Sequence, residues 1–164
     1  MNLEQRITQE AQRLGQCLSE RDQRCAVAES CTGGLVAAAI TAIPGSSAWF
    51  DLGLVTYSVE AKQRYLGVDA NVLKKHGAVS AEVAQAMALG ALNSQATWSI
   101  AVTGIAGPDG GSNAQPVGTV WIAWAHRDHA PQAALYALMG DREAIRQQAV
   151  FRALEGLVAR LMAC

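Results

Sequence analysis

Short, nearly unbroken apolar runs alternate along this chain with segments of helical periodicity, and three of the runs end in dense polar or glycine-rich sequence. Alternation of this kind favours an α/β fold, because a parallel strand buried on both faces reads as a continuous apolar run and needs a helical crossover to reach its neighbour. The spacing of Leu3, Ile7, Ala11, Leu14 and Leu18 predicts a helix over Met1–Arg21. Strands are predicted at Arg24–Ala28, Ala48–Tyr57 and Trp98–Val102. Helices are expected over 35–43, Val59–Leu66, Asp69–Lys75 and Ser80–Leu92, with Pro44-Gly45 stopping the first and Asp69 and Ser80 as N-caps. Two late strands, Val117–Ala125 and Ala133–Met139, precede a closing helix capped by Asp141 and striped with Ile145, Ala149, Leu154 and Leu157. The connection His126–Pro131 is short and polar, so the late strands are expected to pair antiparallel in a mixed, largely parallel sheet covered on both faces. No linker or repeat divides the 164 residues, and one domain over 1–164 is expected.

Thirteen Lys and Arg against fourteen Asp and Glu leave a net charge of −1, without the basic excess that phosphate counterion release requires. Aromatic residues make up only 5%, too few for a base-stacking platform, so no nucleic-acid partner is expected. The longest apolar stretch, Leu35–Ile43, is far short of the ~20 residues that span a bilayer, and no membrane partner is expected either. Cys17, Cys25, Cys31 and Cys164 form no C-x-x-C pair, and the first residues are charged rather than signal-like. A reducing, cytoplasmic setting is expected, with no metal.

In open α/β sheets ligands bind beyond the carboxyl ends of the strands. Here those ends carry Glu29–Gly34, Thr56–Lys62 and Thr103–Gly111. Ser30 lies where a strand turns toward a helix and is followed closely by Thr32, Gly33 and Gly34. That order suits a nucleophile beside backbone N–H donors for an oxyanion. It suits an ordinary serine N-cap equally. Cys31 is a rival nucleophile, but no nearby histidine would lower its pKa.

A nucleophilic serine needs a base. His76 falls in a connecting loop, and His126 and His129 fall in a turn at the far end of the late strands. Lys62 alone among the lysines follows a strand end, within TYSVEAK, and could reach back toward Ser30. To serve as base at neutral pH its pKa has to fall by about three, ~4 kcal/mol of differential solvation. A solvated helix-surface lysine is the alternative. TGIAGPDGG could form an anion-binding nest with the Thr103 hydroxyl, or serve only as a turn. Arg142 and Arg146 sit one helical turn apart at a helix N-terminus, where a bound anion would offset the unfavourable dipole. Ion pairs with Asp141 or Glu143 would do the same.

Taken together, AESCTGG (28–34), VTYSVEAK (55–62), HGAVSAEVAQAMALGAL (76–92), TGIAGPDGG (103–111), PVGTVWIA (116–123) and GDREAIR (140–146) resemble the single-domain members of the CinA C-terminal family, the bacterial nicotinamide-nucleotide amidases. The resemblance covers nearly the whole chain. It implies a three-layer α/β/α sandwich and hydrolysis of nicotinamide mononucleotide (NMN) to nicotinate mononucleotide and ammonia in pyridine nucleotide recycling. It further implies a Ser/Lys mechanism without metal or cofactor, and a homo-oligomer. By motif, the catalytic residues would be Ser30, Lys62 and Tyr57, with substrate held by Thr32, Gly33, Gly34, Thr103, Gly104, Gly107, Arg142 and Arg146. Tyr57 would position either Lys62 or the pyridine ring. Two positions depart from the family pattern: Val59 replaces the usual Asn, and Gln115 replaces the usual Lys before Pro-Val-Gly. A nucleotide-binding module that has lost turnover is the alternative these departures raise, and an amidase or esterase for another nucleotide-like substrate is a third. Trp49, Phe50, Trp121 and Trp124 are the candidates for an exposed self-association surface.

Overall fold

A computed structural model describes residues 1–164. Its helices are α1 (Leu3–Glu20), α2 (Leu35–Thr41), α3 (Val59–Leu66), α4 (Ala70–His76), α5 (Ala81–Ala91) and α6 (Arg142–Met162). Its strands are β1 (Cys25–Glu29), β2 (Phe50–Val55), β3 (Trp98–Gly104), β4 (Thr119–His126) and β5 (His129–Ala137). They form one sheet in the order β2-β1-β3-β4-β5. β1 runs parallel to both β2 and β3, while β4 is antiparallel to β3 and to β5. Antiparallel pairing thus begins one strand earlier than the terminal hairpin expected from the sequence.

The side-chain alternation of the central strands builds two unlike faces. Large residues (Val27, Ile100, Val102, Val120, Ile122, Trp124) point to the face covered by α1, α2 and α6. Alanines (Ala26, Ala28, Ala101, Ala123, Ala125) point to the other, where α5 packs with α3 and α4 beside it. The result is the three-layer α/β/α sandwich. No helix is long and apolar enough to cross a membrane.

Local chemistry sets the element ends. Asn2 and Gln5 cap α1 reciprocally, and Ser58, Asp69, Ser80 and Asp141 each accept a first-turn N–H of the helix they precede. β2 is shorter than expected because Ser46–Ala48 forms a 3-10 turn and Thr56 leaves the ladder. β4 starts later than expected, after a turn in which Thr119 N–H bonds Pro116 O at 3.0 Å. β5 starts earlier, at His129, and carries Pro131 on the sheet edge, where a missing N–H faces solvent at no cost. Trp49 and Trp124 are buried and Phe50 and Trp121 half-buried, so they do not form the exposed surface that was expected. The large apolar side chains left exposed include Val55, Tyr57, Val59, Tyr65, Leu135 and Met139.

Candidate active site

β1, an inner strand between β2 and β3, delivers Ser30 at its carboxyl end. Ser30 N–H bonds Val102 O of β3 at 3.0 Å, and Thr56 N–H bonds Glu29 O at 2.8 Å, so the ends of three parallel strands are tied at one level. Beyond Ser30 the chain reverses through Gly33 (φ +58°) and Gly34 (φ +103°), a left-handed pair that a side chain would strain. Gly34 is the N-cap of α2 and has no side chain to cap with. The Glu29 carboxylate performs that task instead: Oε1 accepts from Gly34 N–H (3.2 Å) and Val36 N–H (2.9 Å), and Oε2 from Ala37 N–H (3.0 Å). Ser30 is therefore not an N-cap. Its hydroxyl is free for another partner.

That partner is Lys62. Its Nζ lies 3.0 Å from Ser30 Oγ, 2.6 Å from Thr56 O and 3.3 Å from Tyr57 O, and the residue is only 1% exposed. No carboxylate pairs with it. Burial, the larger effect, pushes the Lys62 ammonium below the usual lysine range, and the neighbouring Cys31 acts in the opposite sense. Three oxygens surround Nζ; in the neutral amine two N–H bonds can go to the Thr56 and Tyr57 carbonyls, with the lone pair left for the Ser30 proton. The solvated-lysine alternative does not describe this side chain. Cys31 is a poor rival nucleophile, since burial raises its thiol to about 11.

Among the expected oxyanion donors, Gly33 N–H is taken by Ser30 O at 3.0 Å and Gly34 N–H by Glu29. The N–H groups of Thr32 and Cys31 have no acceptor in the chain. The hydroxyls of Thr32 and Thr56 are buried without a partner. Tyr57 touches Lys62 through its carbonyl, whereas its largely exposed phenol accepts a hydrogen bond from Arg142 at 3.3 Å.

Arg142 also donates to Gly107 O at 2.7 Å, drawing the 103–111 loop toward α6. Arg146 donates to Cys31 O (3.0 Å) and Thr32 O (3.3 Å), holding the turn beside Ser30. Neither arginine forms an ion pair with Asp141 or Glu143. Both line a cavity of ≈ 400 Å³ with Leu35, Glu143 and Gln147. Thr103 is not a free donor: its buried hydroxyl bonds Ala78 O at 2.8 Å, because that side chain secures the segment before α5. Gly104 is required by packing, since a Cβ there would lie 2.8 Å from Thr119 O. Gln115 bonds Val79 O at 2.7 Å. His126 and His129 lie at the opposite end of the sheet, 2.9 Å apart at their Nδ1 atoms, and His76 faces Glu82. No group of three or more His, Cys, Asp or Glu side chains is placed to hold a metal.

Sequence reasoning missed Glu29 and the Thr56 carbonyl. A charged residue closing an otherwise apolar strand, five positions before the glycine that caps the next helix, was the available signal for the first. A main-chain acceptor leaves no signal of its own.

The chain matches known proteins over nearly its whole length. The CinA C-terminal domain model matches residues 7–161. The chain belongs to the CinA C-terminal domain family. The nicotinamide-nucleotide amidohydrolase PncC of Pseudomonas putida is 51% identical over 93% of this chain and 95% of its own length. The protein of the same name from Escherichia coli is 48% identical, with 92% of each covered. Among solved structures, the competence/damage inducible protein CihA of Agrobacterium tumefaciens superposes with a TM-score of 0.91 at 44% identity, covering 94% of each chain. This CinA-family chain is an amidohydrolase.

Proposed function

We propose that this chain hydrolyses the carboxamide of NMN, giving nicotinate mononucleotide and ammonia through a Ser30 acyl-enzyme. The observation that carries the reading is the buried Lys62 amine, without a counter-ion, 3.0 Å from Ser30 Oγ. The substrate is inferred from the relatives of Pseudomonas putida and Escherichia coli, which are nicotinamide-nucleotide amidohydrolases.

Lys62 Nζ takes the proton from Ser30 as Oγ attacks the carboxamide carbon. The N–H groups of Cys31 and Thr32 face the developing oxyanion. Lys62 returns the proton to the leaving nitrogen, the C–N bond breaks and ammonia departs. Water then attacks the acyl carbon, gives its proton to Lys62, and Ser30 is regenerated with release of the acid. Arg142 and Arg146 bind the 5′-phosphate with charge-assisted hydrogen bonds. The reading includes a cytoplasmic homo-oligomer that needs no cofactor, has no nucleic-acid or membrane partner and serves pyridine nucleotide recycling, with residues 1–164 working as one unit.

Ammonia release from NMN is the deciding assay. The wild-type chain is expected to turn over, and Ser30→Ala to abolish release while the circular dichroism spectrum is kept. Turnover by Ser30→Ala would remove the nucleophile assignment. A silent wild-type chain that still binds NMN would establish the non-catalytic alternative.

A further inference from the structure

Glu29 is 1% exposed, yet no cation pairs with it. Burying a carboxylate without a counter-ion is costly unless offset by dense hydrogen bonding. Three consecutive-turn amides supply it, and the positive end of α2 adds to them. The same residue's carbonyl accepts Thr56 N–H at 2.8 Å, and the Thr56 carbonyl in turn accepts Lys62 Nζ at 2.6 Å. One residue thus holds both halves of the Ser30–Lys62 pair: its carboxylate fixes the turn after the serine, and its main chain fixes an acceptor of the lysine.

Capping α2 in this way has two chemical consequences. The turn after Ser30 is held against the start of α2, and the Ser30 hydroxyl stays 3.0 Å from Lys62 Nζ. The Glu29 acceptors are taken up by α2 N–H groups, and Lys62 keeps only a hydroxyl and two main-chain carbonyls as partners. We infer that Glu29 is a positioning residue of this amidohydrolase: it fixes the turn after Ser30 and the Thr56 acceptor of Lys62, and so sets the rate of acylation rather than the affinity for substrate. The inference rests on the Ser30–Lys62 reading above.

Glu29→Gln tests it, because the variant keeps the side-chain length and one acceptor oxygen but sets an NH2 against an amide N–H. The expected result is a kcat about 10²-fold lower per folded molecule, the size of effect a misplaced reacting group produces, with KM for NMN within about threefold of wild type. Labelling of Ser30 by a fluorophosphonate, read by mass spectrometry, is expected to slow in parallel. Glu29→Asp, which retains the charge one methylene short of the α2 amides, is expected to recover part of both rates. Wild-type kcat per folded molecule in Glu29→Gln would overturn the inference, even if that variant melts at lower temperature. Should Glu29→Gln not fold, wild-type kcat in Glu29→Asp would overturn it instead. If the wild-type chain releases no ammonia, the functional reading fails separately, and the labelling rates still decide the role of Glu29.

Discussion

At the scale of single residues, catalysis turns on the solvation of one amine. Lys62 is enclosed by Ser30 Oγ and two main-chain carbonyls, and burial lowers its pKa in the folded state from the usual value of 10.5. The base must be neutral, so kcat/KM for NMN is expected to rise with pH through the folded-state pKa of Lys62 and level off above it. The midpoint should lie below 10.5. Lys62→Arg carries a permanent cation and is expected to lose at least about 10³-fold in kcat at every pH. Stability follows the same group by linkage. Between the folded and unfolded pKa values the unfolded chain binds the extra proton, so stability from Lys62 grows as pH rises toward 10.5 and is lost as pH falls through the folded value. Chemical denaturation of wild type and Lys62→Met across that range should show the difference shifting toward wild type at higher pH. A pH-independent difference would mean that Lys62 titrates alike in both states. The sequence TYSVEAK shows a lysine after a strand end that could reach Ser30, but not its enclosure, which comes from Ser30, 32 positions earlier, and from two main-chain carbonyls.

At the scale of elements, the N-terminal end of α6 carries two arginines, one turn apart, with different duties. Arg142 is exposed and bonds Gly107 O and the Tyr57 phenol, contacts that a phosphate can replace or share. Arg146 is half-buried and bonds the carbonyls of Cys31 and Thr32, within the turn that carries the nucleophile. Arg142→Ala is therefore expected to raise KM for NMN about tenfold or more with kcat nearly kept. Arg146→Ala should lower kcat as well as raise KM. Nicotinamide riboside, which lacks the phosphate, is the control: its kcat/KM should be low in wild type and change little in Arg142→Ala. Equal use of riboside and nucleotide by wild type would remove the phosphate role. The sequence announces these elements clearly, because caps such as Asp141 and Ser80 and the alternation in WSIAV and VWIAWA are local signals. It does not announce where their side chains are consumed. Thr103 looks like a free hydroxyl at a strand end, and only the packing of the 77–80 segment shows that Ala78 O takes it. Gly33 and Gly34 look like open donors until Glu29 and the Ser30 carbonyl are seen to occupy their N–H groups.

At the scale of the whole molecule, strand direction decides what meets. β1, β2 and β3 are parallel, and β5, reversed twice from β3, points the same way, so the ends of four strands present 29–34, 56–62, 104–107 and 140–146 on one rim of the sheet. The opposite rim is built for packing. There Trp124 is 2% exposed, donates its indole N–H to Ala153 O at 2.9 Å and lies under the Arg160 guanidinium at 3.8 Å. Loss of that side chain leaves a void between β4 and α6 that neither element can close by shifting alone, because β4 is held on both sides by β3 and β5. Trp124→Ala is therefore expected to cost about 3–5 kcal/mol of folding stability, measured by urea denaturation, while kcat and KM per folded molecule stay within about twofold of wild type. Ser30→Ala should do the reverse, leaving stability nearly unchanged and removing turnover. A large loss of kcat in folded Trp124→Ala would show that strain is carried along β3 and β4 to the reactive rim, and that the division of the sheet into a packing end and a chemical end does not hold.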